Sequence, residues 1–168
     1  MTAELISIGL ISLFASFLTF FSGFGLGTLL LPVFMLFFPT ETAITLTATV
    51  HFFNNIFKTT LTYKNINYSV VKSFGIPSIF GAIIGSFILV KIAIYFQDFN
   101  YEILQTTLTT SVLKIIIGAI IFIFTIIEFI NLDQWIKPTK KTLISGGLIS
   151  GFFGGISGHQ GALRTLFL

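Results

Sequence analysis

Long apolar stretches without charged residues, separated by short polar segments, dominate the pattern of this chain. The first stretch lies between Glu4 and Glu41 and holds no charge. A membrane-spanning helix needs about 20 apolar residues, so this stretch is too long for one straight helix. We therefore predict a first span over 5–38 that breaks at 22–28, where glycines alternate with other residues.

Four more apolar stretches follow, and each is long enough to cross a bilayer core of about 30 Å. They cover residues 42–63, 73–96, 111–131 and 142–168. The predicted fold is all-α, a polytopic transmembrane helical bundle. In it, 1–131 is a four-span repeat with a glycine-broken first helix, 132–141 is a connecting loop, and 142–168 begins a second repeat.

The composition agrees with a membrane protein and excludes other classes. Hydrophobic residues make up 54% of the chain and charged residues 9%, whereas soluble domains carry about 25% charged residues. Intrinsic disorder requires the opposite composition. The absence of cysteine excludes a disulfide scaffold and any thiolate metal site. The net charge of +3 is therefore interpreted as membrane topology and not as a nucleic-acid signal.

The positions of the charges predict an orientation in the plasma membrane. Two connections, 64–72 and 132–141, are rich in lysine. The other two connections hold acidic residues, namely Glu41 in one and Asp98 with Glu102 in the other. Lysine-rich loops of multi-pass proteins stay in the cytoplasm. We therefore predict that these two loops and the N-terminus are cytoplasmic.

Two glycine-rich segments, 20–27 and 152–161, resemble each other and lie about 130 residues apart. Transporters built of two repeats place their substrate site where broken helices from both repeats meet. The similarity therefore predicts one complete repeat and the opening of another. The sequence stops at Leu168 inside an apolar segment, so we expect it to be incomplete and to lack the C-terminal half.

Three groups of residues are candidates for binding a solute. The first is Gly23, Gly25 and Gly27, where a helix break would free backbone N–H groups that attract an anion. The alternative for these glycines is close helix packing on small residues.

The second group is a polar stripe formed by His51, Asn54, Asn55 and Lys58. Together with Thr47 and Thr62 they recur at helical spacing, so they share one helix face. Lipid cannot satisfy such groups, and they suit an oxyanion with several acceptor oxygens. The alternatives are hydrogen bonding between helices and, for Lys58, snorkelling to the membrane surface.

The third group is His159, Gln160 and Arg164 in the second glycine-rich segment. Arginine binds oxyanions through two parallel N–H groups. These residues share a helix face only if the backbone is distorted there. Near the ends of the 111–131 span, Lys114 and Glu128 are expected to snorkel, and a proton-relay role is the alternative for Glu128.

Motifs of soluble enzymes are absent from the sequence. There is no P-loop and no GxSxG elbow, and the two histidines are far apart without an acidic pair for zinc. We therefore predict that the protein is not an enzyme and uses no metal or cofactor.

Segments 23–32, 48–58 and 151–164 resemble motifs of the sulfite exporter TauE/SafE family of membrane permeases. The resemblance covers nearly the whole chain, which corresponds to about the first 60% of a family member. It implies eight spans in two four-span halves. It also implies a cargo of sulfite, sulfonates or related sulfur-containing or organic anions.

The hypothesis from the sequence is a permease that moves a small anion by alternating access between two repeats. Its expected partners are the lipid bilayer, the anionic solute and the missing C-terminal half or a second copy of the chain, but no nucleic acid. The alternatives are a homo-oligomeric small channel, a non-transporting membrane subunit and an intramembrane enzyme. The identity of the anion, the coupling ion and the direction of transport remain open.

Overall fold

A computed structural model of the protein describes residues 9–10, 13–14, 17, 26–96, 98–103, 106–130, 137, 139–159 and 161–168. Most of these residues are helical, which agrees with the predicted helical membrane protein. The helices are α1 (Leu26–Met35), α2 (Thr40–Thr62), α3 (Tyr68–Tyr95), α4 (Val112–Ile130), α5 (Lys140–Ser157) and α6 (Gly161–Phe167). A single 3₁₀ turn, Tyr63–Asn65, follows α2.

A short proline-containing turn separates α1 from α2. The backbone of Phe34 accepts hydrogen bonds from Phe37 (3.1 Å) and Phe38 (2.9 Å), which closes α1. Pro39 then precedes α2. Proline has no backbone N–H, but at this position the helix needs no hydrogen bond from one. Its carbonyl accepts the N–H of Ala43 at 2.9 Å and starts the helical ladder.

Helix α3 begins with a cap and a wide turn. The side chain of Asn67 accepts the backbone N–H groups of Ser69 (3.0 Å) and Val70 (3.3 Å). The π-helical segment Val71–Gly75 follows, and then an α-helix to Tyr95. Pro77 has no backbone N–H to donate to the carbonyl four residues earlier, and its ring would clash with that carbonyl. The wider π-helical turn before Pro77 relieves this clash.

Between α3 and α4 lies a β-hairpin that the all-α prediction did not include. Strands β1 (Phe99–Ile103) and β2 (Thr106–Thr110) pair antiparallel, with Phe99 opposite Thr110. Both strands are almost entirely exposed. The segment holds β-branched and aromatic residues without the apolar run of a helix, which favours a strand at this surface connection.

The buried core joins α1, α2 and α4 to the C-terminal helices. Its members are Leu30, Leu31, Phe34, Ala43, Ile44, Leu113, Ile117, Ile120, Phe124, Ile156 and Leu163. Many large apolar side chains instead point outward, including Phe87 on α3 and Phe122 on α4. Soluble proteins rarely expose so much contiguous apolar surface, whereas a lipid environment requires it.

Helices α3 and α5 pack backbone to backbone along a row of glycines. A Cβ on Gly81 or Gly85 would overlap the backbone of α5, at the carbonyls of Leu148 and Phe152. The four-residue spacing of Gly81 and Gly85 therefore allows close contact between the two helices.

Helix α5 contributes a matching row of three glycines to the same contact. Cβ atoms at Gly147, Gly151 and Gly155 would overlap three carbonyls of α3, those of Phe74, Ser78 and Ala82. In both rows, residues with higher numbers on α3 contact residues with higher numbers on α5, so the two helices run parallel. We call this contact the glycine seam.

Two of the described helices, Tyr68–Tyr95 and Val112–Ile130, are long and apolar enough to cross a membrane. Helix α2 covers nearly the predicted range 42–63. The predicted stretch 142–168 holds two helices, α5 and α6, which are separated within the second glycine-rich segment. The arrangement in repeats stays a prediction.

Candidate functional site

The break between α5 and α6 organises the site. Helix α5 ends at Ser157, and the next residue, Gly158, adopts a left-handed conformation with φ 67°. Its N–H donates to the carbonyl of Gly154 at 2.8 Å. This is a common way to end a helix, and glycine adopts it without strain. The chain then turns, and α6 starts at Gly161.

The break fixes the position of His159. The hydroxyl of Ser157 donates to the carbonyl of Phe153 at 2.8 Å and accepts the N–H of His159 at 3.3 Å. The side chain of His159 is 0% exposed. Its ring packs against Phe124 of α4, with ring centroids 5.4 Å apart. The second glycine-rich segment therefore delivers an imidazole into the interior of the bundle.

A second imidazole meets the first from α2. His51 is the midpoint residue of this helix, and its ring centroid lies 6.3 Å from that of His159. Within the described part of the chain, His51 Nε2 and both ring nitrogens of His159 are buried without a hydrogen-bond partner. Buried polar atoms normally have partners, so these nitrogens point to a ligand or to exchangeable protons.

Glu128 completes this cluster, contrary to the expectation that it snorkels. Its side chain is 8% exposed, and Oε1 lies 4.0 Å from His159 Nε2. A glutamate reaching the membrane surface would be exposed, so the snorkelling prediction is wrong for this residue. The distance is longer than a hydrogen bond but within the range of electrostatic attraction.

Two basic side chains flank the histidines. Arg164 of α6 lies close enough to His51, His159 and Lys58 for their charges to interact. Basic groups therefore outnumber the acidic Glu128 in this cluster. Positive charge at membrane depth favours an anion nearby, so Lys58 and Arg164 make the cluster suited to an anion.

A cavity of about 240 Å³ opens beside His51 between α2, α3 and α5. It is lined by Ala48, His51, Phe52, Asn55, Ala82, Gly151, Gly154 and Gly158. A larger apolar space of about 470 Å³ adjoins it and shares Ala48, Ala82, Gly154 and Gly158. Pockets for drug-sized ligands measure roughly 300–1,000 Å³, so the cavity at His51 suits a smaller solute.

The candidate residues from the sequence are distributed as follows. The structure brings together five of them from two separate segments: His51, Asn55, Lys58, His159 and Arg164. Asn54 is half-buried and does not line the cavity. Gly27 is the second residue of α1. Three candidates, Gly23, Gly25 and Gln160, lie outside the described residues.

The ends of the predicted polar stripe contribute less than its middle. Thr47 and Thr62 each donate their hydroxyl to the carbonyl four residues earlier, at 2.8 and 2.9 Å. These hydroxyl protons are therefore engaged within the helix. Among the described residues, no group of three or more His, Cys, Asp or Glu side chains is placed to hold a metal ion.

A comparison with protein families decides the identity of the chain. The family model named sulfite exporter TauE/SafE matches residues 8–168. The chain belongs to the TauE/SafE family. This is a family of membrane permeases, so the chain is a membrane protein of a transporter family. No curated protein and no solved structure matches it.

Two residues of the candidate site, Glu128 and Gly151, are not among the solute-binding candidates from the sequence. Glu128 was assigned to the membrane surface because it lies near the end of an apolar block. Gly151 was not selected either, although the four-residue spacing of Gly147, Gly151 and Gly155 is visible and marks close packing.

Proposed function

We propose that this TauE/SafE chain moves a small sulfur-containing anion, such as sulfite or a sulfonate, across the plasma membrane. The anion would bind in the cavity beside His51. The observation that carries the proposal is that two distant polar segments meet beside one small cavity, with the basic side chains of Lys58 and Arg164 near His51. His51 and Asn55 come from α2, and Gly158, His159 and Arg164 come from the break and the helix after it.

The chemistry of the lining suits an oxyanion. The Asn55 amide offers N–H donors, and the His51 imidazole donates from one nitrogen. Sulfite and sulfonates present three acceptor oxygens around a compact centre. The charges of Lys58 and Arg164 act on the same region, and they favour anions over neutral solutes of similar size.

The architecture supports alternating access as the mechanism. Secondary transporters place substrate near the bilayer midplane, at discontinuous helices between repeats. Here the α5–α6 break packs against the first half of α2, and a Cβ at Gly158 would lie 2.9 Å from the Ile44 carbonyl. In the proposed cycle, the second repeat moves relative to the first and opens the cavity to each side in turn.

Anion binding by the purified chain in lipid nanodiscs tests the proposal. We expect sulfite and methanesulfonate to bind the wild-type chain in isothermal titration calorimetry. His51→Ala should weaken binding by about tenfold or more, because a hydrogen bond to a charged group is lost. Asn65→Ala is the matched control, since Asn65 is an exposed polar residue on the turn after α2.

Equal affinity in the His51→Ala and wild-type chains would contradict the proposed site. Flux into liposomes separates the remaining functional classes. A permease shows flux that saturates with anion concentration. A homo-oligomeric channel shows conductance that does not saturate in the same range, and a non-transporting subunit shows no flux.

A further inference from the structure

We propose that Glu128 and His159 form a proton-exchange site beside the anion cavity, and that the proton they bind travels with the anion. The inference rests on the proposed function, because it assigns the coupling ion of the same site. It is based on a buried carboxyl–imidazole pair that has no role in lining the cavity. Neither side chain lines that cavity.

The geometry isolates this pair from solvent. The side chains of Glu128 and His159 are 8% and 0% exposed, and Oε1 and Nε2 are 4.0 Å apart. Phe124 covers one side of the His159 ring. A carboxyl group and an imidazole are thus held next to each other in an apolar interior. Ionisable residues at membrane depth commonly form ion pathways and proton relays.

His51 provides the connection between this pair and the cavity. It lines the cavity, and its ring lies 6.3 Å from that of His159. Neutral histidine can accept a proton on one nitrogen and release one from the other. A proton from the cavity can therefore pass from His51 to His159 and then to Glu128 without crossing the apolar core.

The charges that face the pair link its protonation to the anion. His51 faces it from α2 and Arg164 faces it from α6. Lys58 lies near His51 and Arg164. With Glu128 ionised and His159 neutral, the pair carries one negative charge, which opposes an incoming anion. Uptake of one proton makes the pair neutral and removes this repulsion. Proton and anion binding therefore favour each other.

The transport step then balances in charge and protons. One monovalent anion enters the cavity while one proton from the same side joins the Glu128–His159 pair. The loaded site has the same total charge as the empty site, so one complete transport cycle moves no net charge across the membrane. Release on the other side returns the proton and the anion together.

Infrared difference spectroscopy of the full chain in lipid nanodiscs tests the proton site without any anion. As the pH is lowered, the wild-type chain should show a growing carboxylic-acid C=O band, because Glu128 takes up the proton. We expect Glu128→Gln to remove this band and Glu102→Gln to retain it, since Glu102 is an exposed glutamate of the hairpin. His159→Gln should shift the band, because its neighbour changes.

Calorimetry with methanesulfonate in two buffers of different ionisation enthalpy then tests the coupling. Methanesulfonate keeps its negative charge over the pH range used, so any proton taken up on binding must bind to the protein. We expect about one proton per bound anion in the wild-type and Glu102→Gln chains. We expect none in Glu128→Gln.

Each outcome separates the two proposals. A C=O band that survives in Glu128→Gln overturns the proton site. Anion binding without proton uptake overturns the coupling while the proposed function stands. A Glu128 band in a chain that binds no anion supports the proton site and contradicts the proposed function.

Discussion

At the scale of single residues, Gly158 determines where His159 lies. Its φ of 67° is costly for any residue with a Cβ, and a Cβ there would lie 2.9 Å from the Ile44 carbonyl of α2. The same residue thus ends α5, contacts α2 and lines the cavity. Conformation and close approach both require glycine here.

Gly158→Ala should therefore destabilise the protein by about 1–2 kcal/mol from the left-handed conformation alone. The measurement is thermal unfolding in detergent followed by circular dichroism, in which the midpoint should fall. Gly118→Ala is the matched control. No atom lies within 4 Å of its added Cβ, and alanine favours helix, so its midpoint should stay or rise. An unchanged midpoint in Gly158→Ala would contradict the role of this residue.

Site residues were predictable from the sequence where their spacing along one helix places them on the same face. His51 and Asn55 share a helix face by their spacing alone, and that face reaches the cavity. The position of Glu128 depended on a distant segment, because its neighbour His159 is placed by the α5–α6 break. A pattern along one helix does not contain that information.

At the scale of elements, the glycine seam holds α5 in parallel contact with α3. Its glycines recur every four residues, with two on α3 and three on α5, so no side chain separates the two backbones at these positions. Backbones can then approach closely, which is the main source of attraction between helices in lipid. The seam also forms one wall of the cavity, through Ala82 and Gly151.

Gly151→Ala should force α3 and α5 apart, because its Cβ would overlap the backbone of Ser78 and not a movable side chain. We expect a loss of about 1–3 kcal/mol, as for other overpacked interiors. Chemical unfolding in mixed detergent measures it. Gly75→Ala is the control, since its nearest neighbour would be Val71 Cγ1 at an ordinary 3.8 Å. Equal stability of the two variants would show that the seam tolerates side chains.

Helices were predictable from the sequence where an uninterrupted apolar stretch has the length of one membrane span. Helix α4 lies within one residue of the predicted range 111–131. The hairpin was not predicted. Phe99, Tyr101 and Ile103 alternate with polar residues in β1, but β2 shows no such alternation, and the segment between two apolar stretches was treated as a connection. The second glycine-rich segment indicated the region of the α5–α6 break, but the exact end of α5 depends on the conformation of Gly158.

At the scale of the whole molecule, the orientation in the membrane follows from charge. The turn after α2 carries Lys64, and Lys72 lies one turn into α3. The hairpin between α3 and α4 instead carries the exposed Glu102. The retention of lysine-rich loops in the cytoplasm predicts that the turn lies inside the cell and the hairpin outside.

Cysteine labelling tests this orientation directly, because the chain contains no cysteine of its own. Asn65→Cys and Glu102→Cys place single thiols on exposed positions at opposite ends of α3. In intact cells, a membrane-impermeant maleimide should label Glu102→Cys at once and label Asn65→Cys only after permeabilisation. The unaltered chain is the control for background labelling. The reverse pattern would invert the orientation, and labelling of both thiols in intact cells would show that α3 does not cross the membrane.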